Sequence, residues 1–182
     1  MNVTKDRQQK AYGTLGERFG YTSAMQAPRI EKVVVSSGVG KKRDQKTIDL
    51  IEDRLMKITG QKPAPRAARM SIASFKVRAG DTVGLQATLR GARMYDFLDK
   101  LIHIALPRTR DFRGLSASAI DEMGNLTIGI KEHTIFPETS DEDVKDVFGL
   151  AITIVTNCKT KEDAEACCRH LGIPLRENEA KK

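Results

Sequence analysis

The run VGLQATLR, residues 83–90, alternates without a break. Val83, Leu85, Ala87 and Leu89 fall on one side, and Gly84, Gln86, Thr88 and Arg90 on the other. Successive strand side chains point to opposite faces, so the run predicts a strand with an apolar underside and a polar outer side. Strands of that kind belong to antiparallel sheets that carry their core on one face. NLTIGIK (125–131) repeats the pattern, with Leu126, Ile128 and Ile130 set against Thr127, Gly129 and Lys131. RIEKVVV (29–35) and LAITIVT (150–156) are rich in β-branched residues and predict two further strands. The first of these is expected to end in a turn at Ser36-Ser37-Gly38-Val39-Gly40. Ser71–Val77 is predicted as another strand, followed by a turn at Arg78–Asp81.

Helical spacing fills the intervals. Ile48, Ile51, Leu55 and Ile58 form one apolar stripe, and Gly60 stands where a helix C-cap is expected. After Gly91, the residues Met94, Phe97, Leu98, Leu101, Ile102 and Ala105 line one side of a helix that Pro107 ends. Thr160–Leu171 predicts a helix with Ala164, Cys167, Cys168 and Leu171 inward, closed by Gly172 and Pro174. A short helix is expected from Ser140, with acids in its first turn. Gln61–Arg69 holds two prolines and is expected to be extended and surface-lying. The class that follows is α+β: a mostly antiparallel sheet with helices packed on one face. The 182 residues suit a single domain spanning 1–182, with an N-terminal helical segment (1–27) and a frayed tail (176–182).

Charge is unevenly placed. Residues 57–113 hold twelve Lys/Arg and four Asp, a net of +8, whereas the rest of the chain nets −1. A nearly neutral protein with one strongly basic segment points to a polyanionic partner. No apolar run approaches the roughly 18–20 residues of a membrane span, so no membrane partner is expected. The opening residues lack an apolar signal core. Cys158, Cys167 and Cys168 show no C-x-x-C pair, which suits a reducing, cytoplasmic setting.

Catalytic patterns are missing from the sequence. Gly38-Val39-Gly40-Lys41 invites a phosphate-loop reading, but Lys42 stands where Ser or Thr is needed and no glycine lies five before Gly40. Two other readings of that segment stay open. One is a glycine turn with positive φ. The other is bare backbone with Lys41 and Lys42 accepting a polynucleotide phosphate. His103, His133 and His170 are scattered, so neither a metal nor a cofactor is expected. Asp141, Glu142 and Asp143 suit a helix start better than acid–base work. The competing functions are a nucleotide-dependent enzyme and an adaptor for an acidic protein.

RNA recognition has the stronger support. Gln86, Thr88 and Arg90 face outward from one strand, and Thr127, Gly129 and Lys131 from another. If the two faces adjoin, they make a flat, small-residue surface suited to phosphates and 2′-hydroxyls. The basic Pro-rich segment with Lys62, together with Arg108, Arg110 and Arg113, flanks them. Aromatics are 5% of residues, too few for a base-stacking platform, so shape and backbone reading of folded RNA fits better.

The motifs then become specific. PRIEKVVVSSGVG (28–40), the run ITGQKPAPRAARMSIASFKVRAGDTVGLQATLRGARMYDFLDKLIHIALPRTRDFRGLS (58–116), GNLTIGIKEHTIFPE (124–138) and GLAITIVTNCKTKEDAEACCRHLGIP (149–174) closely resemble the bacterial ribosomal protein L five family. The resemblance runs nearly end to end. It implies a single α+β domain with a curved antiparallel sheet and no catalytic activity. It also implies binding to 5S rRNA in the central protuberance of the large ribosomal subunit, with Ser36, Gln61 and Thr88 at the contact. The family usually has Asn where this chain has Ser36, and serine shortens the reach and removes an amide. With the residues read above, the candidate 5S rRNA set is Ser36, Lys41, Lys42, Gln61, Lys62, Gln86, Thr88, Arg90, Thr127 and Lys131. The family's loop, here about Met70–Gly84, is directed at P-site tRNA, with Arg69, Lys76 and Arg78 as the candidate contacts. Further partners implied are 23S rRNA, neighbouring ribosomal proteins of the central protuberance and a small-subunit head protein.

Overall fold

The computed structural model describes residues 2–39, 44–139 and 147–176. Among these, the helices are α1 (Val3–Phe19), α2 (Gln45–Thr59), α3 (Gly91–Lys100) and α4 (Lys161–Leu171). The strands are β1 (Ile30–Gly38), β2 (Ala64–Ala67), β3 (Thr82–Leu89), β4 (Leu126–Ile130) and β5 (Leu150–Thr156). They form one antiparallel sheet in the order β2-β3-β1-β5-β4, open rather than closed into a barrel. The α+β class expected from alternation and helical spacing is the class observed. The chain divides into two compact units, one of residues 1–33, 90–128 and 153–182, the other of residues 34–89 and 129–152.

In the second unit, α2 packs on β3. The stripe predicted for α2 is buried at Ile51, Leu55 and Ile58, as are Leu85, Ala87 and Leu89 on the inner side of β3. Full burial of each Leu or Ile contributes about 1.5–3 kcal/mol, so this seam holds much of the unit's stability. Gly60, left-handed at φ 66°, closes α2 as expected. The β3 backbone runs very close to β1. Val39 N–H donates to Val83 C=O at 3.0 Å. A Cβ on Gly84 would stand 2.9 Å from the Ser37 carbonyl oxygen, so only glycine fits there. Buried Ser37 donates through Oγ to the Gly149 carbonyl at 2.8 Å. His133 is fully buried and stacks on Phe148, with ring centroids 4.1 Å apart.

In the first unit, α1 packs on α4 and α3. Ala11 and Leu15 of α1 meet Ala166 of α4, flanked by Phe19 and Tyr21. Polar ties fix the register. Arg7 donates to the Leu171 carbonyl at 3.0 Å, and the His170 ring bonds the Arg7 carbonyl at 2.7 Å. Asp99 of α3 accepts from both the N–H and the hydroxyl of Thr4. The apolar stripe of α3 continues through a wider π turn, Leu101–Ala105, where Leu106 N–H reaches back to Leu101 C=O at 2.9 Å. The turn stands just before Pro107, whose ring lacks the N–H that a continuing helix needs.

Three local expectations need correction or placing. The turn expected at Ser36–Gly40 begins too early, because β1 runs on through Gly38. Backbone pairing extends further there than β-branching does, and Gly38 has no positive φ. Ser71–Val77 is not a strand. Ile72 and Val77 bond only each other, around a 3₁₀ turn at Ala73–Phe75, with Lys76 at φ 51°. Alternation there has no neighbouring strand to pair with and no core to cover. The helix expected from Ser140 lies outside the described residues.

Candidate nucleic-acid interface

The Pro-rich segment proves to hold an edge strand. β2 pairs antiparallel with β3 in the register Ala64↔Gln86, Pro65↔Leu85 and Arg66↔Gly84, then shifts at a bulge before Ala67↔Thr82. All four residues of β2 are exposed, and an edge is where proline is tolerated. This places Arg66 over β3, where its Nε donates to Gln86 Oε1. The sequence singled out Gln86 but not Arg66, although bases on the exposed side of an extended Pro-rich run are a usable signal.

Gln61 follows the α2 cap and donates through Nε2 to the Thr88 carbonyl at 3.2 Å. Thr59 Oγ1 in turn donates to the Leu55 carbonyl at 2.7 Å and lies 2.9 Å from the Gln61 carbonyl. Gln61 and Thr88 are thus held together at one end of β3. Lys62 beside them is 75% exposed and pairs with Glu52 at 2.9 Å. That hydrogen bond, with the charge of Glu52, holds the Lys62 ammonium above its ordinary pKa. Ser36 lies on the open side of β1, its Oγ 3.5 Å from the Ala151 carbonyl.

Beyond the bulge, the β2–β3 hairpin continues as residues 68–81. Ala68 N–H donates to Asp81 C=O at 2.8 Å, Gly80 N–H to Ala68 C=O at 3.0 Å and Ala79 N–H to Ser71 Oγ at 2.9 Å. Arg69, Lys76 and Arg78 are all exposed on this arm. So are Met70 (71%), Ile72 and Phe75 (69%), the last two within the run Ser71–Val77 whose alternation predicts a strand.

The remaining candidates stand elsewhere. Arg90 is exposed at the N-cap of α3. Thr127 on β4 shares a hydroxyl contact of 3.2 Å with Thr153, and Lys131 is exposed just past β4. The β3 and β4 faces do not adjoin, since β1 and β5 stand between them in the sheet. Lys41 and Lys42 lie outside the described residues. Among the described residues, no group of three His, Cys, Asp or Glu is placed to hold a metal ion, and no helix is long and apolar enough to cross a membrane.

Comparison with known proteins bears on what this surface serves. A family model described as "Ribosomal protein L5" matches residues 23–78, and a second model, for the C-terminus of the same ribosomal family, matches 82–175. Curated relatives named "Large ribosomal subunit protein uL5" align over nearly the whole chain. That of Rubrobacter xylanophilus is 49% identical over 96% of this chain and 98% of its own length. That of Anaeromyxobacter sp. strain K is 47% identical over 94% and 95%. That of Flavobacterium johnsoniae is 45% identical over 97% of both. The chain belongs to the ribosomal protein L5 family. L5 proteins are structural and non-enzymatic, which removes the nucleotide-dependent enzyme from consideration. The two matched L5 segments meet within the β2–β3 hairpin, leaving only residues 79–81 between them.

Proposed function

We propose that this chain, a non-enzymatic constituent of the large ribosomal subunit in the cytoplasm, binds 5S rRNA and helps attach it to the central protuberance. The observation that carries the reading is the β2–β3 hairpin with its outer face uncovered. Gln86 and Thr88 on β3, with Ser36 on the neighbouring β1 and Gln61 beside Thr88, offer polar groups there, and Lys62 and Arg66 supply charge at the rim. Such a surface suits phosphates and 2′-hydroxyls of folded RNA, which are read by shape and backbone. Arg90 and Thr127 in the first unit, and Lys131 in the second, add further donors. The same reading gives the arm 68–81, with Arg69, Lys76 and Arg78, to P-site tRNA. 23S rRNA, neighbouring proteins of the central protuberance and a small-subunit head protein complete the partners.

The arm and the hairpin base separate in one experiment. The triple variant Arg69→Glu, Lys76→Glu, Arg78→Glu should bind a 5S transcript within about threefold of the parent, since P-site contact is not 5S contact. Large subunits rebuilt with it should lose crosslinks from the arm to P-site tRNA. Retained crosslinks at full yield would remove the tRNA assignment and leave the 5S assignment standing.

A further inference from the structure

Arg108, Arg110 and Arg113 stand between the π turn and β4, in a different unit from the β2–β3 hairpin. Pro107 ends the helix, and Asp111, left-handed at φ 53°, helps to turn the chain back. Both feet of the loop are clamped. At its start, Thr109 N–H donates to the Leu106 carbonyl at 3.0 Å. At its end, Leu115 N–H donates to Pro174 C=O at 2.7 Å, and Arg176 N–H to Leu115 C=O at 2.8 Å. Arg176 Nε also donates to the Gly114 carbonyl at 3.0 Å, which brings a fourth guanidinium to the foot of the loop. A loop held at both ends has less to order when it binds.

All four arginines are exposed. Within the loop one carboxylate stands against them, that of Asp111, 86% exposed and 4.0 Å from Arg110 Nε. An exposed pair at that distance contributes little, and it leaves the 97% exposed Arg110 open to another anion. Neither Arg108 nor Arg113 has an acidic partner among the described residues. The apolar residues turn inward: Leu106 is buried, and Phe112 and Leu115 are half-buried. No large apolar side chain is exposed from 106 to 117. Protein interfaces are built around apolar or aromatic anchors, and this loop offers none. Phosphates need no such anchor. A guanidinium fork bonds them through two parallel N–H groups, and every cation of the loop is an arginine rather than a lysine.

We propose that the loop 108–113, with Arg176 at its foot, is a second RNA-backbone site that works independently of the β2–β3 hairpin. Its ligand is the phosphodiester backbone of a double-helical RNA segment, taken without regard to sequence. The loop offers guanidinium donors for phosphates and no exposed aromatic ring for bases. The inference rests on the reading of this chain as an RNA-binding ribosomal protein. It adds that the chain carries an RNA contact in each unit and holds two stretches of RNA at once.

The test uses the full chain, a 5S transcript and a fluorescent RNA duplex of about 16 base pairs and unrelated sequence. With the chain saturated by unlabelled 5S transcript, the duplex should still bind, read by anisotropy and as a ternary band on a native gel. The triple variant Arg108→Ser, Arg110→Ser, Arg113→Ser should bind the duplex at least roughly tenfold more weakly at about 100 mM salt. Its slope of log affinity against log salt should be shallower by about two to three, since each lost phosphate contact removes about one. Its affinity for the 5S transcript should stay within about threefold of the parent, with circular dichroism confirming the parent's fold. No duplex binding by the 5S-saturated parent, equal duplex affinity in parent and triple variant, or a matching loss of 5S affinity in the variant would overturn the proposal. Duplex affinity kept while affinity for poly-glutamate is lost would give the loop to an acidic protein instead. If the parent fails to bind 5S transcript, the proposed function falls, and duplex titrations of parent against triple variant still decide the loop.

Discussion

Gly84 joins packing to the proposed function at one atom. It sits on the outer, polar side of β3 by alternation, yet it is buried because the β1 backbone lies against it. A methyl group there meets the Ser37 carbonyl oxygen at 2.9 Å, and a strand carbonyl cannot withdraw as a flexible side chain would. Gly84→Ala should therefore cost about 1–3 kcal/mol, read as a lower urea midpoint with an unchanged m-value. An unaltered midpoint would mean that the β1–β3 approach is looser than described. Thr88 and Arg90 test function at the same scale. Arg90→Glu and Thr88→Lys should each weaken binding of a 5S transcript, by roughly tenfold for the charge reversal. Glu122→Lys, on an exposed turn in the other charge sense, should not weaken it. Equal affinities for the three variants in a gel-shift series would remove these residues from the contact.

Among the elements, the β2–β3 hairpin was the hardest to read and is the part on which the proposed function rests most. Its arm is held by a few backbone bonds in solvent, with every residue from 69 to 76 exposed, whereas Leu85, Ala87 and Leu89 lie under α2. Local opening follows exposure and sparse apolar contact. Amides of Ala68, Ile72, Val77 and Gly80 should therefore exchange at least roughly tenfold faster than those of Leu85, Ala87 and Leu89, read by hydrogen exchange with mass spectrometry. Slow exchange along the arm would contradict the description. The strands β3, β4 and β5 and the helices α2, α3 and α4 were legible because burial imposes a period on their sequences. β2 was not, since it buries nothing and leaves no period; only Pro65 within it and Pro63 just before it hinted at extended backbone. Ser71–Val77 misled for the opposite reason, as apolar residues on an exposed tip imitate a strand. Thr88 could be singled out from the alternation of its strand and Gln61 only through the family resemblance, but the hydrogen bond that joins them required the fold.

For the molecule as a whole, the +8 of residues 57–113 separates into parts. Lys57 stands in the last turn of α2, Lys62 and Arg66 rim the base of the hairpin, Arg69, Lys76 and Arg78 stand on its arm, and Arg90, Arg93, Lys100, Arg108, Arg110 and Arg113 belong to the other unit. Phosphate contact by such groups releases counterions, so binding should weaken steeply with salt. Two or three phosphate contacts already imply a loss of roughly tenfold or more between about 50 and 200 mM salt. The most direct measurement is the affinity of the full chain for a folded 5S rRNA transcript across that salt range, with an unrelated folded RNA of equal length as competitor. The account predicts a saturable complex, a steep salt dependence, and preference for the 5S transcript at every salt concentration. Equal affinity for the competitor, or binding indifferent to salt, would contradict it.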